Sequence, residues 1–195
     1  MSNKASPEII TNYTKIVLKN RLEILPSIKT ENYQEYERLR PVYKEILKAA
    51  NQYYDFIFVD LNKGLDNENT REILEMSDLI IVNLTQRLKI INEFMDLRQN
   101  NLLFKQNNVL LLVGRYDKYS KYNTKNIARY MREKNVLTVP YNTLFFEAAN
   151  EGEVADFFIK YRTIDDGDRN SLFISEIRRA TEGIIYKLQE QLMRN

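Results

Sequence analysis

The sequence predicts an α/β protein whose doubly wound, mainly parallel sheet has about five strands flanked by helices. Two observations support this fold class. Short apolar runs, including FIFV at 56–59 and VLLLV at 109–113, are typical of strands buried on both faces. Between the runs, apolar residues recur three or four positions apart, which is typical of helices. Strands that alternate with helices form parallel sheets through right-handed crossovers.

The first half of the chain predicts three strands and two helices. Residues 21–26 form the first strand, which Pro26 ends. Pro41 lies inside the helix predicted at 31–51 and indicates either a kink or a helix that begins near residue 40. The apolar residues of this helix have helical spacing at Tyr36, Leu39, Tyr43, Ile46, Leu47 and Ala50. The remaining elements are a strand at 55–61, a helix at 69–76 and a strand at 78–84.

The second half continues the alternation and ends in helices. The elements are a helix at 88–99, a strand at 108–114, a helix at 124–134, a strand at 135–140, and helices at 144–161 and 172–193. We interpret the polar segment DDGD at 165–168 as a turn with a helix cap, because it lacks the alternating ligands of a calcium loop. One domain is predicted over 1–195, with 1–20 left without a firm assignment and 169–195 as the C-terminal helix.

Composition excludes several chemistries. The 195 residues include neither Cys nor His, so disulfides, thiolate nucleophiles, Cys/His zinc sites and imidazole bases are ruled out. The net charge of +2 produces no strong attraction to nucleic acid or anionic lipid. No apolar run reaches the roughly 20 residues of a membrane helix, and the first seven residues lack a signal-peptide core. We therefore expect a cytoplasmic protein.

Asp60 is the candidate catalytic residue. It ends the strand predicted at 55–61, and ligands of open α/β sheets bind outside the carboxyl ends of strands. A carboxylate there can hold Mg²⁺ through water or orient an attacking water near a phosphate. The alternative is an aspartate that caps the following turn. Gly64 either lets a loop approach a phosphate or serves a turn.

A phosphate-binding loop is missing from the sequence. The five glycines are too far apart to build one, and no G-x-x-x-x-G-K-[ST] occurs. Phosphate recognition by this chain would therefore need another source of backbone amides.

Several segments together resemble the ParA/MinD-like P-loop ATPases, which have a deviant Walker A loop. YDFIFVD at 54–60 resembles their Walker B strand, and Asp60 and Gly64 keep the D-x-x-x-G spacing. Three further segments resemble parts of the family sequence. They are LEILP at 22–26, residues 70–82, and VPYN at 139–142 followed by EA at 147–148 and NEG at 150–152. The resemblance implies ATP and Mg²⁺ as cofactors, Asp60 in the water or metal role through water, and Gly64, Pro140 and Tyr141 at the nucleotide.

Two departures from the family pattern accompany this resemblance. The sequence lacks the family's N-terminal strand with its K-G-G-x-G-K-T loop, and Gly114 stands where the family has an adenine-reading Asn. We therefore predict an N-terminally truncated P-loop NTPase-like domain for partitioning or positioning DNA or a cellular assembly, unable to bind or hydrolyse ATP alone. The alternative is a non-catalytic pseudo-ATPase that serves as a localisation factor for a pilus, secretion or conjugation system.

Candidate partner surfaces are a basic segment and the last helix. Arg115, Lys118, Lys121 and Lys125 alternate with tyrosines and are candidates for non-specific DNA binding. The alternative is a solvated loop before a helix capped near Asn123 or Thr124. The last helix has a polar face of mixed charge, which favours core packing or a partner helix over a membrane surface. A protein partner or a homodimer is expected.

Overall fold

The computed structural model describes residues 10–26, 33–61, 64–106 and 108–193. The chain divides into two compact units, Met1–Ile73 and Leu74–Asn195. The single domain over 1–195 stays a prediction.

The first unit contains a hairpin and a long helix. Strand β1, Lys15–Leu18, pairs antiparallel with β2, Leu22–Ile24. The strand predicted at 21–26 therefore exists in shortened form, but its place in a parallel sheet is wrong. The physical reason is a tight turn between the two strands, where Asn20 has a φ of 58°. Asparagine is among the residues that tolerate this left-handed conformation, so the chain reverses at once.

Helix α1 spans Tyr33–Ala50 and confirms the predicted helix at 31–51. It continues through Pro41, so the helix does not begin near residue 40. At its C-terminal end Ala49 and Ala50 are buried together with Ile10, and Ile46 and Tyr54 pack against them. These contacts form a small apolar cluster within the first unit.

The strand predicted at 55–61 is wrong. Residues 54 and 56–61 have no regular secondary structure, and each of the four apolar residues at 56–59 is exposed. Phe58 is 74% exposed. A strand needs a neighbour whose backbone completes its hydrogen bonds. Within the described part of the chain no strand pairs with this segment.

Helix α2, Glu68–Met76, confirms the helix predicted at 69–76, and the junction between the two units falls within it. Asn67 Oδ1 accepts a hydrogen bond from the Thr70 backbone N–H at 3.1 Å. This capping satisfies one of the donors that the first turn of a helix leaves free.

The second unit is built on a parallel three-stranded sheet of order β3-β4-β5. Its strands are β3, Ile80–Leu84, β4, Val109–Tyr116, and β5, Val136–Pro140. The predictions at 78–84, 108–114 and 135–140 are thus confirmed. The expected number of about five parallel strands is corrected to three in the described residues, because 21–26 and 55–61 do not join this sheet.

Helices connect these strands. Helix α3, Leu88–Asn100, and a short 3₁₀ helix, Leu102–Lys105, join β3 to β4. Helix α4, Thr124–Met131, joins β4 to β5 and ends three residues earlier than predicted. Arg132 ends it in the left-handed region, with a φ of 56°. The α/β class is therefore correct, with helices flanking a parallel sheet.

Three further helices follow β5. They are α5, Thr143–Glu151, α6, Val154–Lys160, and α7, Ser171–Leu192. The single helix predicted at 144–161 is two helices, because Gly152 has a φ of 78° and ends α5 in a left-handed cap.

Helix α7 packs on the sheet. Leu137 of β5 lies so close to Gly183 that a Cβ there would come within 3.0 Å of its Cδ1. Thr138 Oγ1 donates to Glu176 Oε2 at 2.5 Å. Phe173 and Ile174 are buried with Phe157, so the predicted core packing of the last helix is confirmed. Among the described residues, no helix has the length and apolar character needed to cross a membrane.

Candidate functional site

The loops after the three parallel strands form the candidate site of the second unit. They comprise residues 85–87 after β3, 117–123 after β4 and 141–142 after β5. Since parallel strands end at the same edge of a sheet, these loops share that edge. Ligands of open α/β sheets bind at such an edge.

Gln86 holds the first two loops together. Its Nε2 donates to the carbonyls of Asp117 and Tyr122, both at 2.9 Å, and its Oε1 accepts from the Asp117 backbone N–H at 2.7 Å. One amide side chain therefore satisfies three backbone groups of a loop that follows the neighbouring strand. Sequence reasoning missed Gln86. The sequence signal for this role is a glutamine, whose amide both donates and accepts hydrogen bonds, two residues after a predicted strand.

Local hydrogen bonds also order the basic segment. Asp117 Oδ1 accepts from the Tyr119 N–H at 2.9 Å, and the Thr124 N–H donates to the Tyr116 hydroxyl at 3.1 Å. Asn123 Oδ1 accepts from the Asn126 N–H at 3.0 Å and caps α4. The predicted helix cap near Asn123 is confirmed, and the loop before it has a defined conformation.

Each lysine of this loop lies next to a tyrosine ring. Lys118 Nζ is 5.1 Å from the ring centroid of Tyr119, and Lys121 Nζ is 5.1 Å from that of Tyr122. These distances are within the range of cation–π attraction. The pairs present positive charge and aromatic surface together.

Arg115 lies at an irregularity in the sheet. The register between β4 and β5 shifts between Gly114 and Tyr116, and Arg115 has a φ of 51°. A bulge of this kind changes the direction of the side chain at the extra residue. The Arg115 side chain is exposed. At Gly114 an added Cβ would lie 4.0 Å from the Leu84 carbonyl oxygen, an ordinary contact. A Cβ atom therefore fits at this position.

Pro140 and Tyr141 lie where β5 ends. Pro140 is the last residue of the strand and pairs with Tyr116. Tyr141 is exposed, with its ring 6.1 Å from that of Phe146. The two residues predicted to border a nucleotide base thus stand at the candidate edge.

Asn142 fixes the start of the next helix, and sequence reasoning missed this role. Its Oδ1 accepts from the Phe145 N–H at 2.8 Å, and its Nδ2 donates to Asn170 Oδ1, also at 2.8 Å. Asn170 is 3% exposed and donates through Nδ2 to Asp168 Oδ1 at 2.9 Å. Asp168 Oδ1 also accepts from the Asn170 backbone N–H, which supports the interpretation of DDGD as a turn.

Asp60 and Gly64 belong to the first unit. Asp60 is exposed and, among the described residues, has no hydrogen bond or ion pair. The Gly64 carbonyl accepts from the Asn67 N–H at 3.1 Å, which is a turn before α2. A Cβ at Gly64 would lie 2.7 Å from Asp66 Oδ1. Of the four predicted site residues, the second unit therefore holds Pro140 and Tyr141 only.

The donor set does not fit a bound Mg²⁺–nucleotide. Magnesium in such sites takes one or two carboxylates together with phosphate oxygens that the protein holds in place. Asp60 is one carboxylate, the sequence has no glycine-rich loop, and no group of three acidic side chains in the described ranges could hold a metal. We therefore derive no catalytic step through this group.

Two hydroxyl groups of the first unit contact the Glu23 carboxyl. Its Oε2 accepts from the hydroxyls of Thr14 at 2.6 Å and Tyr54 at 2.5 Å. These two hydrogen bonds hold the pKa of the carboxyl below its usual range. Burial, and then the hydrogen bond to Glu23, raises the pKa of the Tyr54 phenol. This contact ties the residue before segment 55–61 to the hairpin.

Comparison with solved structures supports the fold assignment. The chain is similar to the crystal structure of a ParA family ATPase from Chlorobium tepidum TLS, with a TM-score of 0.65 and 14% identity. The match covers 86% of this chain and 66% of that one, so the chain spans slightly less than two thirds of its length. No protein-family model and no curated protein matches the sequence. The α/β architecture is thus similar to that of a ParA-family P-loop ATPase.

Proposed function

We propose that this chain is a ParA-like nucleotide-switch domain that helps to partition or position DNA or a cellular assembly. The observation that carries the proposal is the fold, which follows a ParA family ATPase over 86% of the chain. The sequence features that agree with it are the D-x-x-x-G spacing from Asp60 and the VPYN segment at 139–142.

Each proposed residue has one role within its own unit. In a form of the domain that carries a phosphate-binding loop, Asp60 would position a water or a water-bound Mg²⁺, and Gly64 would allow a loop to approach the phosphates. In the second unit, Pro140 and Tyr141 are the candidates for bordering an adenine. The proposal expects this chain by itself to bind ATP weakly, because the amides of a phosphate-binding loop have no counterpart in its sequence.

The first test is equilibrium binding of a fluorescent ATP analogue with Mg²⁺ to the chain and to Asp60→Ala. We expect no binding at micromolar analogue by either protein. A matched chain with an added upstream strand and K-G-G-x-G-K-T loop should bind, and Asp60→Ala in that background should bind less. If the extended protein folds but does not bind the ATP analogue, the nucleotide-switch proposal is wrong.

The second candidate function is a non-catalytic interaction module that localises a pilus, secretion or conjugation system. The observation that favours it is the state of segment 55–61, where Asp60 has no hydrogen-bond or ion-pair partner among the described residues and the adjoining apolar residues are exposed. A module that docks a partner needs no phosphate cradle.

A pull-down from cells with the native chain and with Phe58→Ser separates the two functions. The docking function expects a defined partner that the variant loses, with no dependence on added ATP. A partner retained by Phe58→Ser, or captured only when ATP is present, would contradict it.

DNA binding through Arg115, Lys118, Lys121 and Lys125 is part of the first proposal. Its support is the ordered loop that carries two of these residues. The expected result is weak, salt-sensitive binding of duplex DNA that the fourfold Gln variant abolishes. A variant that binds equally well would remove DNA from the proposal.

A further inference from the structure

A cleft of about 740 Å³ lies between α3 and α4 in the second unit. Two contacts hold its walls together. The Tyr130 hydroxyl donates to Asn92 Oδ1 at 2.8 Å, and Arg98 forms a salt bridge with Glu133. The first contact joins α3 to α4, and the second joins α3 to Glu133, two residues after the end of α4.

The floor of the cleft is apolar. Leu88, Ile91 and Ile127 line it, and the last two are almost completely buried beneath it. Tyr122 and Tyr130 add aromatic surface to the lining. Leu88 and Tyr130 are 38% and 50% exposed, so a ligand that covers them gains free energy by excluding water from apolar surface.

Three cations line the same cleft, namely Lys121, Arg129 and Arg132. None of the lining residues is acidic, and within the described ranges none of these three cations forms a salt bridge. Arg129 Nη2 donates to Asn126 Oδ1 at 2.7 Å, which orients the guanidinium. Positive charge above an apolar floor complements an anion that carries an apolar group.

We propose that the α3–α4 cleft binds a small phosphate ester that carries an aromatic ring, of about the size of a mononucleotide. The phosphate contacts the three cations, and the ring covers the apolar floor beside Tyr122 and Tyr130. The volume lies within the roughly 300–1,000 Å³ of small-molecule pockets. The cleft contains none of Asp60, Gly64, Pro140 and Tyr141, so it does not depend on the proposed nucleotide site, although it shares Lys121 with the proposed DNA surface.

The test is isothermal titration of the full chain with AMP in low salt and EDTA. Adenosine and inorganic phosphate, titrated separately, represent the ring and the anion alone. We expect AMP to bind more tightly than either, because only AMP contacts both the cations and the floor. We also expect binding without Mg²⁺, since no carboxylate lines the cleft.

A matched pair of variants locates the site. Arg129→Gln removes a lining cation and should weaken AMP binding about tenfold. Lys134→Gln removes one positive charge two residues after Arg132, at an exposed position outside the lining, and should leave binding unchanged. Arg132→Gln provides a second lining variant should Arg129→Gln fail to fold. Circular dichroism checks the fold of each protein.

Several outcomes would overturn the proposal. They are equal weakening by Lys134→Gln and Arg129→Gln, no AMP binding at millimolar concentration by folded protein, or inorganic phosphate binding as tightly as AMP. A second titration replaces EDTA with Mg²⁺. Binding seen only in that titration, and lost in Asp60→Ala, would overturn the cleft proposal and assign AMP to Asp60.

Discussion

Two apolar runs of this chain have similar composition and opposite surroundings. LLLV at 110–113 forms the middle of β4, where Leu111 and Val113 are buried and the strand pairs on both sides. FIFV at 56–59 has no strand partner among the described residues, and all four side chains are exposed. An apolar run is therefore suited to a buried strand, but the strand forms only where a neighbouring strand completes its backbone hydrogen bonds.

The largest expected effect tests burial in the two runs. Leu111→Ala should lower the free energy of unfolding by about 2–5 kcal/mol, because it leaves a cavity in the sheet core. Phe58→Ala should change it by no more than about 0.5 kcal/mol, because the ring is exposed. Urea denaturation of both variants measures the difference. Equal losses would mean that segment 55–61 is buried in solution.

The next effect concerns the order of the sheet edge. Gln86→Ala should lower the free energy of unfolding by about 1–3 kcal/mol, because three backbone groups of loop 117–122 lose their partner. Hydrogen exchange of the Asp117 amide should accelerate, while that of the Leu111 amide should change little. Unchanged exchange at Asp117 would show that the loop does not need the Gln86 amide.

A smaller effect is expected at the sheet irregularity. Arg115→Gly relieves a left-handed conformation and should raise the free energy of unfolding by less than about 1 kcal/mol. Arg129→Gly in α4 is the control and should lower it by about 1 kcal/mol, because glycine disfavours a helix. Thermal unfolding of the pair measures both signs. Destabilisation by Arg115→Gly would argue against the bulge.

The smallest effect is a pH dependence in the first unit. Glu23 has a lowered folded pKa, so its stabilisation is present above the ordinary carboxyl value of 4.5 and is lost as pH falls through the lower folded value. Tyr54 has a raised folded pKa, so its stabilisation is present below 10.0 and is lost at higher pH. Urea denaturation between pH 3 and pH 11 should show both losses, and Glu23→Gln should remove the acidic one.

Sequence reasoning predicted the second unit well because its elements carry local signals. The three runs that form β3, β4 and β5 are apolar and bounded by polar residues, and Asn123 caps a helix through an interaction three residues away. The hairpin was missed because its turn depends on one left-handed residue, Asn20. The segment 55–61 was predicted wrongly because pairing depends on residues distant in sequence.

The candidate site was harder to predict than the fold. Pro140 and Tyr141 were placed at a strand end, and the structure puts them there. Gln86 and the contact between Asn142 and Asn170 join residues about thirty positions apart, so periodicity gives no sign of them. The cleft combines side chains of α3, of α4 and of the segments on either side of α4, so only the packed structure shows which residues line it.

The order β3-β4-β5 also determines how this unit can assemble during synthesis. Each strand pairs with the next one along the chain, so a growing polypeptide can add one strand and its helix at a time. Helix α7 comes last and covers Leu137 of β5 through Gly183. The contact between Leu137 and α7 can therefore form only after the ribosome has released Gly183.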